Sequence, residues 1–155
     1  MNRSFTIIEV IFAITVLTVG VLGTFAFISH FSQYTSISES RLTASYLTQE
    51  GIEIVKNIRD GNWLETSVWN DNLSVGRYEG DYNSTNTLDS YTNGYLAIDS
   101  DGFYASTNTL DIFQREIQIC TSSDNIIYVS STVSWQERGR VHSITAEAKI
   151  FNWYE

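Results

Sequence analysis

The chain of 155 residues contains no proline and only one cysteine. Because proline breaks the hydrogen bonding of a helix interior, its absence is compatible with a long unbroken helix. The single cysteine, Cys120, excludes a disulfide within the chain. Apolar and polar residues alternate from Phe113 to Cys120, which predicts a strand carrying a buried or half-buried thiol. An intermolecular disulfide is the alternative interpretation of this cysteine.

Basic residues are also scarce: 9 Lys and Arg stand against 18 Asp and Glu, for a formal net charge of -9. A surface of this sign repels nucleic acid, so we expect no direct nucleic-acid binding. Arg138 and Arg140, the nearest approach to a basic patch, are interpreted as an exposed turn. His30 and His142 have no metal-ligand spacing with Cys120. Since nucleophile and phosphate-loop motifs are also missing, we expect neither an enzyme nor a bound cofactor.

The chain begins with a long apolar run from Phe5 to Ile28, in which Glu9 is the one charged residue. As a helix, this run of about 24 residues extends roughly 36 Å, which is enough to cross a bilayer. It is longer than the core of an ordinary secretory signal, and no cleavage site follows it. Arg3 in front of the run fits a cytoplasmic N-terminus. A carboxylate in such a run costs about 2–3 kcal/mol, so Glu9 is expected to be paired or functional.

The segment after this run continues as an amphipathic helix. Its apolar positions recur at spacings of three and four residues: Ala44, Leu47, Gly51, Ile54 and Ile58. Glu53 and Lys56 are spaced for an ion pair on the helix surface. Arg59 in the last turn, followed by Gly61, predicts the C-terminal end of the helix. We therefore predict one helix over about residues 5–60.

The C-terminal part is predicted to form an antiparallel sheet. The predicted strands are Tyr95–Ile98 with Phe103–Ala105, then Ile112–Cys120, then Ile126–Trp135 with Val141–Trp153. Turns around Gly102 and Gly139 join the two hairpins. One face of the last strand is apolar, so the amphipathic helix is its natural cover. The predicted fold class is α+β, with a long N-terminal helix packed on a small antiparallel sheet.

The residues Phe5 to Val10 read FTIIEV and directly precede the membrane-length run. This stretch resembles the processing and methylation motif of type IV pilins and pseudopilins. The stretches 44–53 (ASYLTQEGIE) and 133–135 (VSW) are similar to minor pilins of the pilus-modification type. The first resemblance covers about 30 residues and is specific, whereas the rest is at the level of the class. It implies the pilin fold, in agreement with the fold predicted above.

In this family a prepilin peptidase removes a short leader and the new N-terminal amine is methylated. The resemblance places the cut between Ser4 and Phe5, although Ser4 stands where the family normally has glycine. Thr6 belongs to the same motif, and Glu9 would pair with the N-terminal amine of a neighbouring subunit. The implied divisions are a leader (1–4), a transmembrane or filament-core helix (5–28), an amphipathic helix half packed on the head (29–60) and a globular β-rich head (61–155).

The resemblance also implies binding partners and a cellular location. The precursor would reside in the inner membrane, and an assembly platform would then build it into a filament with copies of itself or other pilins. Many pilins carry a helix-breaking proline in the membrane segment, which is missing here. Gly20 and Gly23 are therefore the candidates for local loosening of the helix in a filament.

The turn Asp99-Ser100-Asp101-Gly102 concentrates carboxylates, the ligands that calcium prefers. Some pseudopilins bind calcium in a loop of the head, so Asp99 and Asp101 are candidate ligands. The turn lacks the other spaced ligands of an EF-hand loop, and a plain turn is the preferred interpretation.

We expect a non-enzymatic structural subunit of a type IV pilus-like filament on a bacterial surface. Adhesion, motility or DNA uptake would then belong to the filament as a whole. Two alternatives remain open at this stage: a pseudopilin of a type II secretion or competence system, and a single-pass membrane-anchored binding module.

Overall fold

The computed structural model describes residues 6–65, 68–107, 109–123 and 125–153. A helix, α1 (Ile7–Leu64), comes first and is followed by strands. The strands are β1 (Gly76–Glu79), β2 (Asp89–Ser90), β3 (Tyr95–Ile98), β4 (Tyr104–Thr107), β5 (Phe113–Ser123), β6 (Ile126–Glu137) and β7 (Arg140–Phe151). All strand pairs are antiparallel. The predicted α+β fold is therefore confirmed.

The chain divides into two compact units, Met1–Ser40 and Arg41–Glu155. The division falls inside α1, within the segment 29–60 that the sequence assigns to the amphipathic helix. We call the second the C-terminal unit; it contains the last part of α1 and the whole sheet.

The prediction that Gly61 ends the helix is wrong, because α1 continues to Leu64. The N–H of Glu65 still donates to the Gly61 carbonyl at 3.0 Å. Buried Asn62 donates its side-chain amide to the carbonyls of Trp69 and Asp71, at 3.2 and 2.8 Å. These tertiary contacts hold the extra turn in helical form and override the local preference of glycine for a helix end.

Trp63, also in this last turn, packs edge-on against Trp153 with 4.7 Å between the ring centroids. Its indole N–H donates to the side-chain oxygen of Asn152 at 3.3 Å. Arg59 lies over the Trp63 ring at 4.6 Å from its centroid. The end of α1 is thus fixed to the residues that follow β7.

The sheet is organised around β5. One edge of β5 pairs with β6, while β1 pairs with its middle and β3 with its first residue on the other edge. β6 continues into β7 through Arg138 and Gly139, whose φ angles of 53° and 76° form a two-residue turn. The β3–β4 turn likewise has positive φ at Gly102. Both predicted hairpins are confirmed.

The core lies between one face of α1 and one face of the sheet. The predicted helix face is buried: Ala44, Leu47, Gly51, Ile54 and Ile58. The alternate residues of β5 and β6 face it, among them Ile117, Ile119, Val129 and Val133, all at most 1% exposed. The predicted Glu53–Lys56 ion pair forms at 3.4 Å on the outer face of the helix.

Gly51 is required where α1 approaches β6. A Cβ atom at this position would collide with the side chain of Ser131 and lie 3.1 Å from Cδ of Arg115. A larger residue would therefore force the helix away from the sheet.

The prediction of a buried or half-buried Cys120 is wrong, since this thiol is exposed. The buried residues of β5 are the odd-numbered ones from Phe113 to Ile119. Because side chains alternate along a strand, Cys120 points to the opposite face.

Candidate functional site

The first turn of α1 holds the residues that the sequence selects for assembly. Thr6 precedes the helix, and its carbonyl accepts the N–H groups of Glu9 and Val10 at 3.1 and 3.2 Å. The Thr6 hydroxyl also accepts the Glu9 N–H, at 3.4 Å. Thr6 is thus the N-cap of α1, and Glu9 is the third helical residue. Ser4 and Phe5, the predicted cleavage and methylation residues, lie outside the described residues.

Thr6 and Glu9 together have the Thr-x-x-Glu spacing of a capping box. The sequence reasoning missed this, although the spacing itself was a readable signal. The position suits a carboxylate, because the N-terminus of a helix carries partial positive charge. Within the described residues, the Glu9 carboxylate is exposed and has no ion-pair partner. It therefore remains available to a cation from outside these residues.

The helix that follows presents apolar side chains on every side. We call Ile7–Phe31 the apolar segment; its large apolar side chains are between 46% and 81% exposed. Between Ile7 and Ser38, Glu9 is the one Asp, Glu, Lys or Arg residue. Among the described residues, α1 is the helix whose length and composition suffice to cross a membrane. Such a surface needs lipid or other apolar helices to cover it.

Six hydroxyl side chains in this part of α1 are bonded within the helix. Hydroxyls donate to the carbonyl four residues earlier, at 2.7–3.2 Å, from Thr15, Thr18, Thr24, Ser29, Thr35 and Ser38. In a medium without water, an unbonded hydroxyl would cost several kcal/mol. The apolar segment therefore carries hydroxyls at no such cost.

Gly20 and Gly23 both lie inside the continuous helix. A Cβ atom at either position would meet nothing within 4 Å, and the Gly20 carbonyl accepts the Thr24 hydroxyl at 2.8 Å. Their role in loosening the helix within a filament stays a prediction.

The second predicted site, the β3–β4 turn, uses its aspartate within the protein. Asp99 Oδ1 accepts the N–H groups of Asp101 and Phe103 at 2.9 and 3.1 Å. Asp99 Oδ2 accepts the Tyr82 hydroxyl at 2.6 Å. This hydroxyl, followed by the backbone donors, holds the pKa of Asp99 below its ordinary value. Asp99 is thus a turn-forming residue in this structure.

Asp101 is exposed at the tip of the same turn. Within the described residues, no group of three or more His, Cys, Asp or Glu side chains is placed to hold a metal ion. Calcium binding by Asp99 and Asp101 stays a prediction.

The sequence reasoning missed Arg115, which is 1% exposed in the core of the C-terminal unit. It donates to the Leu47 carbonyl at 3.1 Å and to the Glu50 carboxylate at 3.0 Å, and also to the Gly80 carbonyl. Burial lowers the pKa of the guanidinium, and the charge of Glu50 opposes that shift. Arg115, Ile117 and Ile119 are alternate residues of β5, so their side chains lie on the same face of the strand. The alternation in the sequence could therefore have predicted that Arg115 faces the core.

No family model matches the chain, and comparison with curated proteins and with solved structures gave no match either. The fold and the first turn of α1 therefore define an α+β protein with an N-terminal apolar helix. Any narrower assignment depends on the residues Phe5–Val10 and is a proposal.

Proposed function

We propose that this chain is a structural subunit of a type IV pilus-like filament. The observation that carries the proposal is the apolar segment, which exposes every large apolar side chain yet bonds its hydroxyls internally. Such a helix suits two environments in succession, a bilayer and a bundle of like helices. The FTIIEV stretch at its start supports this interpretation, because it resembles the pilin processing motif.

Glu9 would set the axial position of each subunit. Its carboxylate has no cation within the described residues, and the surrounding surface is apolar. In a bundle of such helices an unpaired carboxylate is costly, whereas one paired with the terminal amine of a neighbour is satisfied. Only one axial offset between neighbours would bring the two groups together. Glu9 would thus convert a poorly specific apolar contact into a defined register.

The first experiment identifies the mature N-terminus by mass spectrometry of protein sheared from the cell surface. A chain starting at N-methylated Phe5 in the sheared fraction would support the filament subunit. A chain processed in the same way but retained in the cell envelope would favour the pseudopilin of a secretion or competence system. A chain that keeps Met1 would favour the membrane-anchored module and would overturn the proposal.

The second experiment tests the role of Glu9. We expect Glu9→Ala to abolish or strongly reduce sheared filaments while the C-terminal unit stays folded. Glu39→Ala is the matched control, because Glu39 is also an exposed glutamate on α1. Normal filaments from Glu9→Ala would show that the register argument is wrong.

A further inference from the structure

The strand β7 forms a long open edge of the sheet. It has 12 residues and, among the described strands, pairs only with β6. The other edge strands, β2 and β4, have 2 and 4 residues. An unpaired edge presents a row of backbone donors and acceptors to which another strand can be added. Edge length therefore singles out β7 as a surface for strand addition.

Two of the usual protections of an edge strand, proline and a β-bulge, are missing from β7. It contains no proline, and its pairing with β6 runs without a bulge from Ile126–Phe151 to Glu137–Arg140. The core-facing side chains of Ile144, Ala146 and Ala148 are only half-buried, although their partners on β6 are fully buried, whereas Ile150 near the end of β7 is buried. Cover from the described residues is thus incomplete along most of this edge, and an added strand would complete it.

The outer face of β7 carries two exposed charges of opposite sign, Glu147 and Lys149. Because they are two residues apart, they share one face of the strand. Their sequence neighbour Ala148 lies between them on the core-facing side. In an antiparallel pair of identical strands with Ala148 opposite Ala148, each Glu147 stands opposite the partner's Lys149. This arrangement creates two cross-strand ion pairs.

We propose that a second copy of this chain docks on β7 as an antiparallel strand, with the two-fold axis at Ala148. The paired region covers residues 145–151 and places Thr145 opposite Phe151, which is 47% exposed in the single chain. On the core-facing side, small Ala146 lies opposite Ile150. The contact is isologous, since the same edge serves both subunits.

The charges select this register over its neighbours. Moving the axis one residue toward the N-terminus places Glu147 opposite Glu147, and moving it one residue the other way places Lys149 opposite Lys149. A parallel pairing in register would also oppose like charges. Complementary charge therefore specifies both the antiparallel direction and the position of the axis.

Disulfide cross-linking of the full chain in detergent tests the register. In a Cys120→Ser background, Ala148→Cys places two thiols across the axis, with Cα atoms about 4.5–5.5 Å apart. Ala146→Cys is the matched control, because it lies on the same strand face, but its Cα atoms are four residues apart along the strand, about 13 Å. With a copper oxidant, we expect the Ala148→Cys chain to form dimers at least about tenfold faster, since disulfides require Cα atoms within about 7 Å. Equal rates would overturn the proposal.

Charge reversal distinguishes strand pairing from random contact of the apolar helices in a micelle. Added to the Ala148→Cys chain, Glu147→Lys converts two attractive pairs into repulsive ones and should slow cross-linking on the order of tenfold. Combining Glu147→Lys with Lys149→Glu restores the pairs and should restore the rate. No response to either change would mean that the contact does not use this edge.

A second measurement covers the case in which cysteine at position 148 disturbs folding. Spin labels at exposed Thr145 should lie about 20 Å apart in the dimer, because six strand residues separate the two positions. No distance near that value would also overturn the pairing. The two-fold axis is normal to the sheet, so the stretches of α1 that cover the two sheets run antiparallel in this dimer. The dimer is therefore a state separate from a filament of parallel helices, and these outcomes do not test the filament proposal.

Discussion

Two stretches of the same helix contrast most clearly in this molecule. In the apolar segment, Ile7–Phe31, large apolar side chains are exposed on every side. In the stretch from Arg41 to Leu64, apolar residues at spacings of three and four form one face that is buried against the sheet. The two stretches differ in what covers their apolar side chains. Those of the second stretch pack against the sheet of the same unit, whereas those of the first need lipid or other helices from outside the described residues.

The same exposure therefore has different meanings in the two stretches. Leu17 is 67% exposed and Leu42 is 58% exposed. Leu17 lies in an unbroken apolar surface, while Leu42 lies next to Arg41 on the polar side of an amphipathic helix. The predictions below test this difference, beginning with the dependence of the second stretch on its intrachain partners.

We expect the largest loss of stability in the C-terminal unit from Arg115→Ala. The change leaves Glu50 and the carbonyls of Leu47 and Gly80 without their donor. The unfolding free energy should fall by about 3 kcal/mol, the lower end for a broken buried pair because 32% of the Glu50 side chain is exposed. Denaturant unfolding followed by far-UV circular dichroism would measure this loss.

Arg77→Ala is the control for this prediction. Arg77 also pairs with a glutamate, Glu116, but 57% of its side chain is exposed. Its removal should leave the unfolding midpoint nearly unchanged, because water screens exposed ion pairs. Equal losses in the two variants would mean that burial of Arg115 is not what makes its contacts important.

A lysine at position 17 tests the environment of the first stretch. Leu17→Lys places a charge near the middle of the apolar segment and should oppose membrane insertion by about 2.5–3.5 kcal/mol. Leu42→Lys, at similar exposure, should have no such effect. The measurement is the fraction of protein that remains in membranes after alkaline extraction. If both variants stay in the membrane equally well, the assignment of the apolar segment to a bilayer fails.

Two glycines of α1 should respond to alanine with opposite signs. Gly51→Ala inserts a methyl group against Ser131 and should destabilise the C-terminal unit by about 1–3 kcal/mol. Gly61→Ala meets nothing within 4 Å and should stabilise it by up to about 1 kcal/mol, since alanine favours helix. Denaturant midpoints would give both values.

Ser131→Ala provides a further check on Gly51. Its hydroxyl is buried without a hydrogen-bond partner among the described residues, so its removal should cost little by itself. In the double variant with Gly51→Ala, part of the lost stability should return, because the hydroxyl is the closest obstacle. If the stability losses of the two single variants simply add in the double variant, the strain of Gly51→Ala does not come from the Ser131 hydroxyl.

The smallest expected effect is a change in the pKa of Asp99, which lies in the β3–β4 turn and belongs to neither stretch of α1. The folded pKa of Asp99 is lowered, so its contribution to stability is present above the ordinary pKa near 3.9 and is lost as the pH falls through the folded value. Tyr82→Phe should raise the pKa of Asp99, whereas Tyr91→Phe should not, because the Tyr91 hydroxyl bonds Asn93. A ¹³C NMR titration of the Asp99 carboxyl would measure its pKa in both variants. Equal pKa values would mean that the Tyr82 hydroxyl does not cause the shift.

The helix, its buried face and both hairpins were predicted from the apolar run, the residue periodicity and the turn glycines, because these patterns follow directly from local helix, strand and turn geometry. Features that depend on distant contacts were predicted less well. Gly61 continues the helix because Asn62 and Trp63 have tertiary partners. Cys120 was predicted to lie on the buried face of its strand, which is wrong. Since it directly follows buried Ile119, its side chain points to the opposite, exposed face.

The candidate assembly site was only partly predictable. Glu9 was selected because a carboxylate in an apolar run is costly, and Thr6 by resemblance to a processing motif, but their local capping geometry was missed. The partner of Glu9 is not encoded in the periodicity of its own chain, because it would belong to another subunit. Arg115 was missed because an arginine on a buried strand face runs against the usual preference for exposure.

The packing of Trp63 against Trp153 has a practical consequence. The four tryptophans of the chain are Trp63, Trp69, Trp135 and Trp153, and all belong to the C-terminal unit. Tryptophan fluorescence, excited selectively so that Tyr34 of the first unit does not contribute, thus reports on the C-terminal unit alone, whatever surrounds the apolar segment. Folding of this unit and the proposed polymerisation can therefore be followed separately in one unlabelled sample, with tryptophan emission recording the first and light scattering the second.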